Sequence, residues 1–388
     1  MAFTSKSSEV LEGFGDIMKR ESLYLHGGTP QLDMVRLGVP IRPVSDFSVN
    51  LNPLGPPPII KEKWKELLEA VEHYPSVEGD GIANYYQSIY GISPNNFLAG
   101  NGSTELIYLI PRVLRFKRVA VLTPSFHDYE RASLLAGAKV AKCSLSPHDD
   151  FVFPTEDRLL EVLEKVDAFW IARPNNPTGN LFSMKLILKY TRMFPEKWFI
   201  IDEAFIQFLD DWKSNSFFAA KPMPNVLVLN SLTKFYAIAG LRLGGLMGSE
   251  QVISRLKKAK EPWTINGIAD RVASLLIQCA DYDDKTRLIV REEMRRVFTV
   301  LKNMDEVIPF STSANYILCQ WVKTGDLDDM IRYLLSNGVY VRDCRNFPGL
   351  EENFFRMGIK NPKDNDLLLS LISSFENNSC PSQSHSNP

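Results

Sequence analysis

With 388 residues, 45% of them apolar, the chain can bury a sizeable core and form two domains in one cooperative unit. Its 44 basic and 46 acidic residues nearly cancel, which excludes the one-sign field that recruits nucleic acid or an acidic membrane surface. Five cysteines (Cys143, Cys279, Cys319, Cys344, Cys380) show no CxxC spacing, so no metal site and no disulfide framework is expected, and reduced thiols fit best.

In chain order, the N-terminus MAFTSKSSEV lacks an apolar core, and no later apolar run nears the ~18 residues of a membrane span, so a cytoplasmic location is expected. A Pro-rich stretch (Pro53, Pro56, Pro57, Pro58) reads as a hinge before a helically spaced segment, IIKEKWKELLEAVEHY. The runs KRVAVLTP, DAFWIARP, KWFIIDEAF and NVLVLNS then read as buried strands of a parallel sheet that end in polar residues. Ligand sites of such sheets gather at the carboxyl ends of the strands, which here carry Thr123, Asn175, Asp202 and Ser231. Past Cys279, a charged helical stretch leads into ANYILCQW, VYVRDC and NFFRMGI, a second α+β pattern.

The resulting division is an N-terminal arm with part of a small domain over residues 1–55, a large domain over 56–278, a small domain over 279–376, and a polar tail expected to be disordered over 377–388.

Several stretches carry chemistry. GNGSTE precedes an apolar helix that Ser103 or Thr104 could cap, and its free backbone amides could hold a phosphate, although such a turn is commonly a plain connection. SLTKFYAIAGLRLGG is sharper: it places hydroxyls at Ser231 and Thr233, an amine at Lys234 and a guanidinium at Arg242 after one strand. Hydroxyls and a forked cation suit a phosphate, and a lysine between apolar segments suits a Schiff base.

Asp202 at the end of KWFIID is either a helix cap or the partner of a pyridinium nitrogen, whose protonation lets the ring accept electrons. In RPNNPTG, Asn176 sits in a turn and is also a candidate hydrogen-bond donor; Phe126 in TPSFHDY is either core or a cover for a planar ring. Arg342 and Arg356 lie in apolar strand-like surroundings where each needs an anion, from a salt bridge or from a substrate.

Together these motifs resemble the fold type I pyridoxal phosphate enzymes of the class I/II aminotransferase group, over nearly the whole chain from about His26 to about Phe375. Within the group, HGG at His26 to Gly28, DFSVNLNPLG, DEAF, SLTKFYAIAGLRLG, EPWTING, ANYIL and RDCRNFPGL look most like the threonine-phosphate decarboxylases of cobalamin biosynthesis, with histidinol-phosphate aminotransferases as near relatives.

The resemblance implies a mainly parallel seven-stranded sheet in the large domain, a small α+β domain, and a homodimer whose residues 1–25 cross to the neighbour. It implies that Lys234 carries pyridoxal phosphate, Asp202 pairs with its ring nitrogen, Asn176 contacts its phenolic oxygen and Phe126 stacks on it. Ser231, Thr233, Arg242 and the Gly102, Ser103 and Thr104 segment would hold the cofactor phosphate. The substrate carboxylate would fall on Arg356 and its phosphate near Arg342, His26, Gly28 and Asn52.

Phe205 stands where related aminotransferases have tyrosine, which favours the decarboxylase branch. The chain also departs from the pattern at Thr29, Ser103, Ala239 and Arg345, which leaves the preferred phosphoamino acid open. A histidinol-phosphate aminotransferase and a catalytically silent relative remain alternatives.

Overall fold

The computed structural model describes residues 26–322 and 326–378. The crossing arm expected over residues 1–25 lies outside them. Strands β1 to β13 follow in chain order: Ser45–Asp46, Phe97–Asn101, Arg118–Thr123, Lys139–Ser144, Ala168–Ala172, Trp198–Asp202, Val226–Ser231, Leu243–Met247, Val307–Pro309, Tyr316–Trp321, Val339–Tyr340, Arg342–Asp343 and Phe354–Gly358.

Seven of them form one sheet in the order β2-β8-β7-β6-β5-β3-β4. The pairs β3/β4, β3/β5, β5/β6 and β6/β7 are parallel, while β8 runs antiparallel to both β7 and β2. The central strands are buried along their whole length, which explains their continuous apolar runs: helices cover both faces, and no face is left for polar alternation. The crossover connections bring the carboxyl ends of β3, β5, β6 and β7 to one rim, and this rim carries the expected residues.

A four-stranded antiparallel sheet, β12-β13-β10-β9, packs against the helices Ala280–Lys302, Leu327–Ser336 and Pro362–Asn378. Here the period of two is decisive. On β10, Tyr316 and Leu318 join the core beneath the large sheet, whereas Ile317, Cys319 and Trp321 join the small-domain core. On β13, Phe354 faces the large sheet and Phe355 and Met357 face the small core, so Arg356 points to the large-sheet side. Arg342 pairs directly with Arg356 across β12 and β13 and therefore shares that face.

The helically spaced segment after the Pro-rich stretch is broken. It forms Pro58–Glu62, Trp64–Leu68 and a 3-10 turn at Glu69–Glu72, with no capping side chains and only Ile60, Leu67 and Ala70 buried. Tertiary packing contributes most helical stability, and three buried side chains do not hold one long helix straight. The last helix runs to Asn378, past the point where the disordered tail was expected to begin. Among the described residues, no helix is long and apolar enough to cross a membrane.

Candidate active site

A cavity of about 420 Å³ opens between the rim of the large sheet and the arginine-bearing face of the small one. Lys234 reaches it from the short helix Leu232–Phe235 that follows β7. Its backbone oxygen accepts from Asn52 N at 3.0 Å, which fixes the turn, while none of the described residues accepts a hydrogen bond from Nζ. Burial pushes the Lys234 amine down to about 8; Arg242 and Arg356 add to the effect and Asp202 opposes it. An amine so held is close to its nucleophilic form near neutral pH.

Asp202 closes β6 and is buried. Its Oδ2 accepts from the Tyr129 hydroxyl at 2.7 Å and its Oδ1 from Ala204 N at 2.9 Å. Burial raises its proton affinity, while Tyr129, Ala204 and Lys234 hold it down. Tyr129 is fixed in turn by stacking on Trp170, with ring centroids 4.9 Å apart and planes 10° apart. This orienting tyrosine escaped the sequence reading, although it stands three residues after Phe126 in the same motif. Phe126 lines the cavity and meets Tyr129 edge-on at 5.6 Å.

The phosphate end is a cradle of main chain. Gly102 begins the helix Gly102–Leu114 at φ +72°, and a Cβ there would lie 2.5 Å from the Arg242 guanidinium. A Cβ on Gly244 would lie 2.5 Å from Ser103 N, so only glycine lets β8 and the helix start come this close. No side chain caps the helix; the Gly102 amide donates to Arg242 O at 2.9 Å, and the amides that follow it face an anion site beside Arg242, Ser103 and Thr104. Ser231 and Thr233 are buried behind the cradle and hydrogen-bond each other at 2.8 Å.

At the opposite end, Arg356 is buried, donating to Asn176 Oδ1 and, at 2.8 Å, to Ser48 O. Its Nε has no partner among the described residues, an orphaned buried donor that suits an anionic ligand. Arg342 lines the cavity directly opposite, its guanidinium 5.5 Å from the centre of the Phe347 ring. Phe205 offers no hydroxyl, and the neighbouring Tyr316 donates its own to Asn175 O at 2.7 Å. His26 lines the cavity and Gly28 stands just behind, its amide donating to Ser48 Oγ at 2.8 Å.

One expectation is corrected. Asn52 does not reach the cavity: its Nδ2 is committed to Phe235 O, Tyr282 Oη and Thr286 Oγ1 at 2.7 to 2.9 Å. Asn50, two residues earlier, lines the cavity instead, with a buried Oδ1 that has no partner among the described residues. Both side chains are buried, and nothing local to SVNLN tells which one faces the ligand. Arg345 does not line the cavity, being engaged with Asp343 at 2.7 Å, Asp326 at 3.1 Å and Asp328.

The residues present fit pyridoxal phosphate: a buried amine of lowered proton affinity, a buried carboxylate on the next strand, an aromatic face and a cationic main-chain cradle line one cavity.

The sequence comparisons agree. A putative threonine-phosphate decarboxylase of Caldanaerobacter subterraneus subsp. tengcongensis is 33% identical, over 83% of this chain and 88% of its own. The threonine-phosphate decarboxylase of Salmonella typhimurium is 32% identical over 89% and 95% of the two chains. Among solved structures, the histidinol-phosphate aminotransferase of Clostridium acetobutylicum superposes with a TM-score of 0.79 at 28% identity, covering 86% of this chain and 99% of that one. Residues 42–372 match the family described as aminotransferase class I and II, and the chain belongs to that pyridoxal phosphate-dependent family.

Proposed function

We propose that the chain decarboxylates L-threonine O-3-phosphate to (R)-1-amino-2-propanol O-2-phosphate, the linker precursor of the cobalamin nucleotide loop, with L-serine O-phosphate as a second substrate that would give ethanolamine phosphate. The observation that carries this reading is the pair Arg342 and Arg356, directly opposite on neighbouring strands and facing one cavity. Like charges so placed repel, and a short ligand bearing both a carboxylate and a phosphate compensates both.

When bound, pyridoxal phosphate supplies a protonated ring that draws electrons from a bond at the substrate Cα. Asp202 keeps that protonation, and its bonds from Tyr129 and Ala204 fix its orientation. Arg356 anchors the carboxylate, and Arg342, His26 and Asn50 take the phosphate. A grip on the distant phosphate by Arg342 and His26 would fix the rotation about the Cα bonds and so select which of them is cleaved. Cleavage of the bond from Cα to the carboxylate would release CO2, and Lys234 Nζ, which reaches the cavity, would supply the proton that takes its place at Cα.

Relatives at 32 and 33% identity that are named threonine-phosphate decarboxylases support this reading. The second reading, a histidinol-phosphate aminotransferase, draws on the 28% identical solved structure. Phe205 weighs against it. The deciding experiment incubates the holoenzyme with L-threonine O-3-phosphate and, separately, with L-serine O-phosphate, following CO2 and the amino-alkyl phosphate. Formation of glutamate from histidinol phosphate and 2-oxoglutarate, with no CO2 from either phosphoamino acid, would establish the aminotransferase.

We also propose a cytoplasmic homodimer. Trp64, Leu68, Val71 and Tyr74 are exposed along one segment, Tyr74 by 87%, an apolar surface that a second copy would cover. Sedimentation showing monomer alone at working concentration would remove the dimer.

A further inference from the structure

A buried carboxylate faces the cavity with no part in the steps above. Asp128 opens the helix Asp128–Leu135, and its side chain is only 5% exposed. Its Oδ1 accepts from the Tyr108 hydroxyl at 2.7 Å, and its Oδ2 lies 3.6 Å from His26 Nε2. A carboxylate removed from water needs a compensating charge, and imidazolium is the group beside it.

The other charged groups acting on His26 are Arg131 from the same helix, Arg342 from β12 and Lys234 from the large-domain rim; Phe126 packs against its ring at 5.5 Å, and the adjacent His127 stacks on Phe347. Burial, with the three cations, holds His26 below its ordinary range, and Asp128 alone among the acting groups opposes them. A neutral ring carries one N–H, which cannot serve both a carboxylate and a phosphate; imidazolium carries two.

We propose that Asp128 is a positioning residue for the substrate phosphate: seated between Tyr108 and His26, it offsets part of what disfavours a charged ring, so that His26 takes up its second proton when the phosphate dianion arrives and faces Asp128 on one side while donating to the phosphate on the other. This rests on the reading of the cavity as a phosphoamino-acid site. It adds a specific consequence, since the pH range over which the phosphate is gripped is set by a residue that does not itself bind it.

The chain has five histidines, so the His26 resonance of histidine-labelled holoenzyme can be assigned with His26→Gln and titrated by NMR, with inorganic phosphate as the probe. In Asp128→Asn the His26 midpoint should fall by about one pH unit or more. Phosphate affinity above the midpoint should weaken about tenfold, while affinities converge in acid, where both proteins carry imidazolium. Asp128→Glu, which keeps the charge, should hold the midpoint, and Asp128→Ser replaces the asparagine variant if that fails to fold.

Turnover provides a second test. The kcat/KM ratio of Asp128→Asn to the unaltered enzyme should decline as pH rises, and the substitution should cost nothing further in a His26→Gln background. An unchanged His26 midpoint, or a loss equal at every pH, overturns the proposal. The NMR titration needs no turnover, so the absence of CO2 from the unaltered enzyme would reject the decarboxylase reading while this test still decides the role of Asp128.

Discussion

The two ends of the cavity are built differently. The cofactor end is made of residues a few positions beyond neighbouring strand ends, each fixed by short-range contacts: Asp202 by Ala204 N, Lys234 in the first turn after β7, Gly102 against Arg242. The substrate end is assembled from distant segments, with His26, Asn50, Arg342 and Arg356 meeting through the docking of the small sheet on the large one. Chemistry is thus located by a rigid sheet, and recognition by a contact between domains. Substitutions at the first end should abolish turnover, and those at the second should shift affinity and pH dependence.

The largest effect should come from Lys234→Ala. Turnover should fall by about 10⁴-fold, at the upper end of what a positioned acid–base group contributes, and borohydride should no longer fix the cofactor to the chain, as read by mass spectrometry. Because burial holds the amine down to about 8 instead of its ordinary range, its free-base fraction grows as pH rises through that value. The rate at which apoprotein captures pyridoxal phosphate should therefore climb up to about 8 and level off above it. A rate still climbing steeply near the ordinary lysine range would show that the amine is not perturbed.

Next in size is Arg356. Replacing it by alanine removes charge-assisted bonds worth about 1.5–3 kcal/mol, a loss of about 10- to 100-fold in substrate affinity, and lysine should restore little because it lacks the planar fork. Equal losses in kcat with an unchanged KM would move Arg356 from the recognition end to the chemical one.

The pair Asn50 and Asn52 separates the two kinds of role within one stretch of chain. Asn50→Ala should raise KM for the phosphorylated substrate several-fold, as one hydrogen bond to an anion predicts, with little change in thermal stability. Asn52→Ala should do the reverse, costing about 1–3 kcal/mol of stability through the unpaired groups around Phe235 and Thr286. An increase in KM on Asn52→Ala without a stability loss would restore it to the site.

The smallest effect belongs to Arg345. Partly exposed and tied to three aspartates, it joins the helix Leu327–Ser336 to β12, and Arg345→Met should cost about 1 kcal/mol of stability and leave KM nearly unmoved. A large rise in KM would show that the aspartates only hold it in reserve for substrate.

Much of the cofactor end was legible in the sequence. The strands announce themselves as apolar runs, and a strand end is a fixed point in a parallel sheet, so Asp202, Lys234 and Arg242 could be found by counting from it. Tyr129 was missed because a tyrosine beside a strand reads as core until the carboxylate it serves is seen across the sheet. The resemblance implied Asn52, and Asn50 went unread because both lie in one irregular segment, where which side chain faces the cavity depends on helices far along the chain. Arg345 looked like a spare cation because its aspartate partners at 326 and 328 arrive from the preceding helix.

The sequence alone determined four central strands and the residues at their ends, because apolar periodicity is a local property that survives without knowledge of what packs where, and its motifs carried the resemblance that implied the family and the cofactor. Only the tertiary structure decided that Arg342 and Arg356 stand face to face, that Asp128 lies beside His26, and that Asn50 rather than Asn52 lines the cavity. Those facts depend on strand register and domain docking, which are set by the summed burial of side chains from both ends of the chain, and no single segment encodes them.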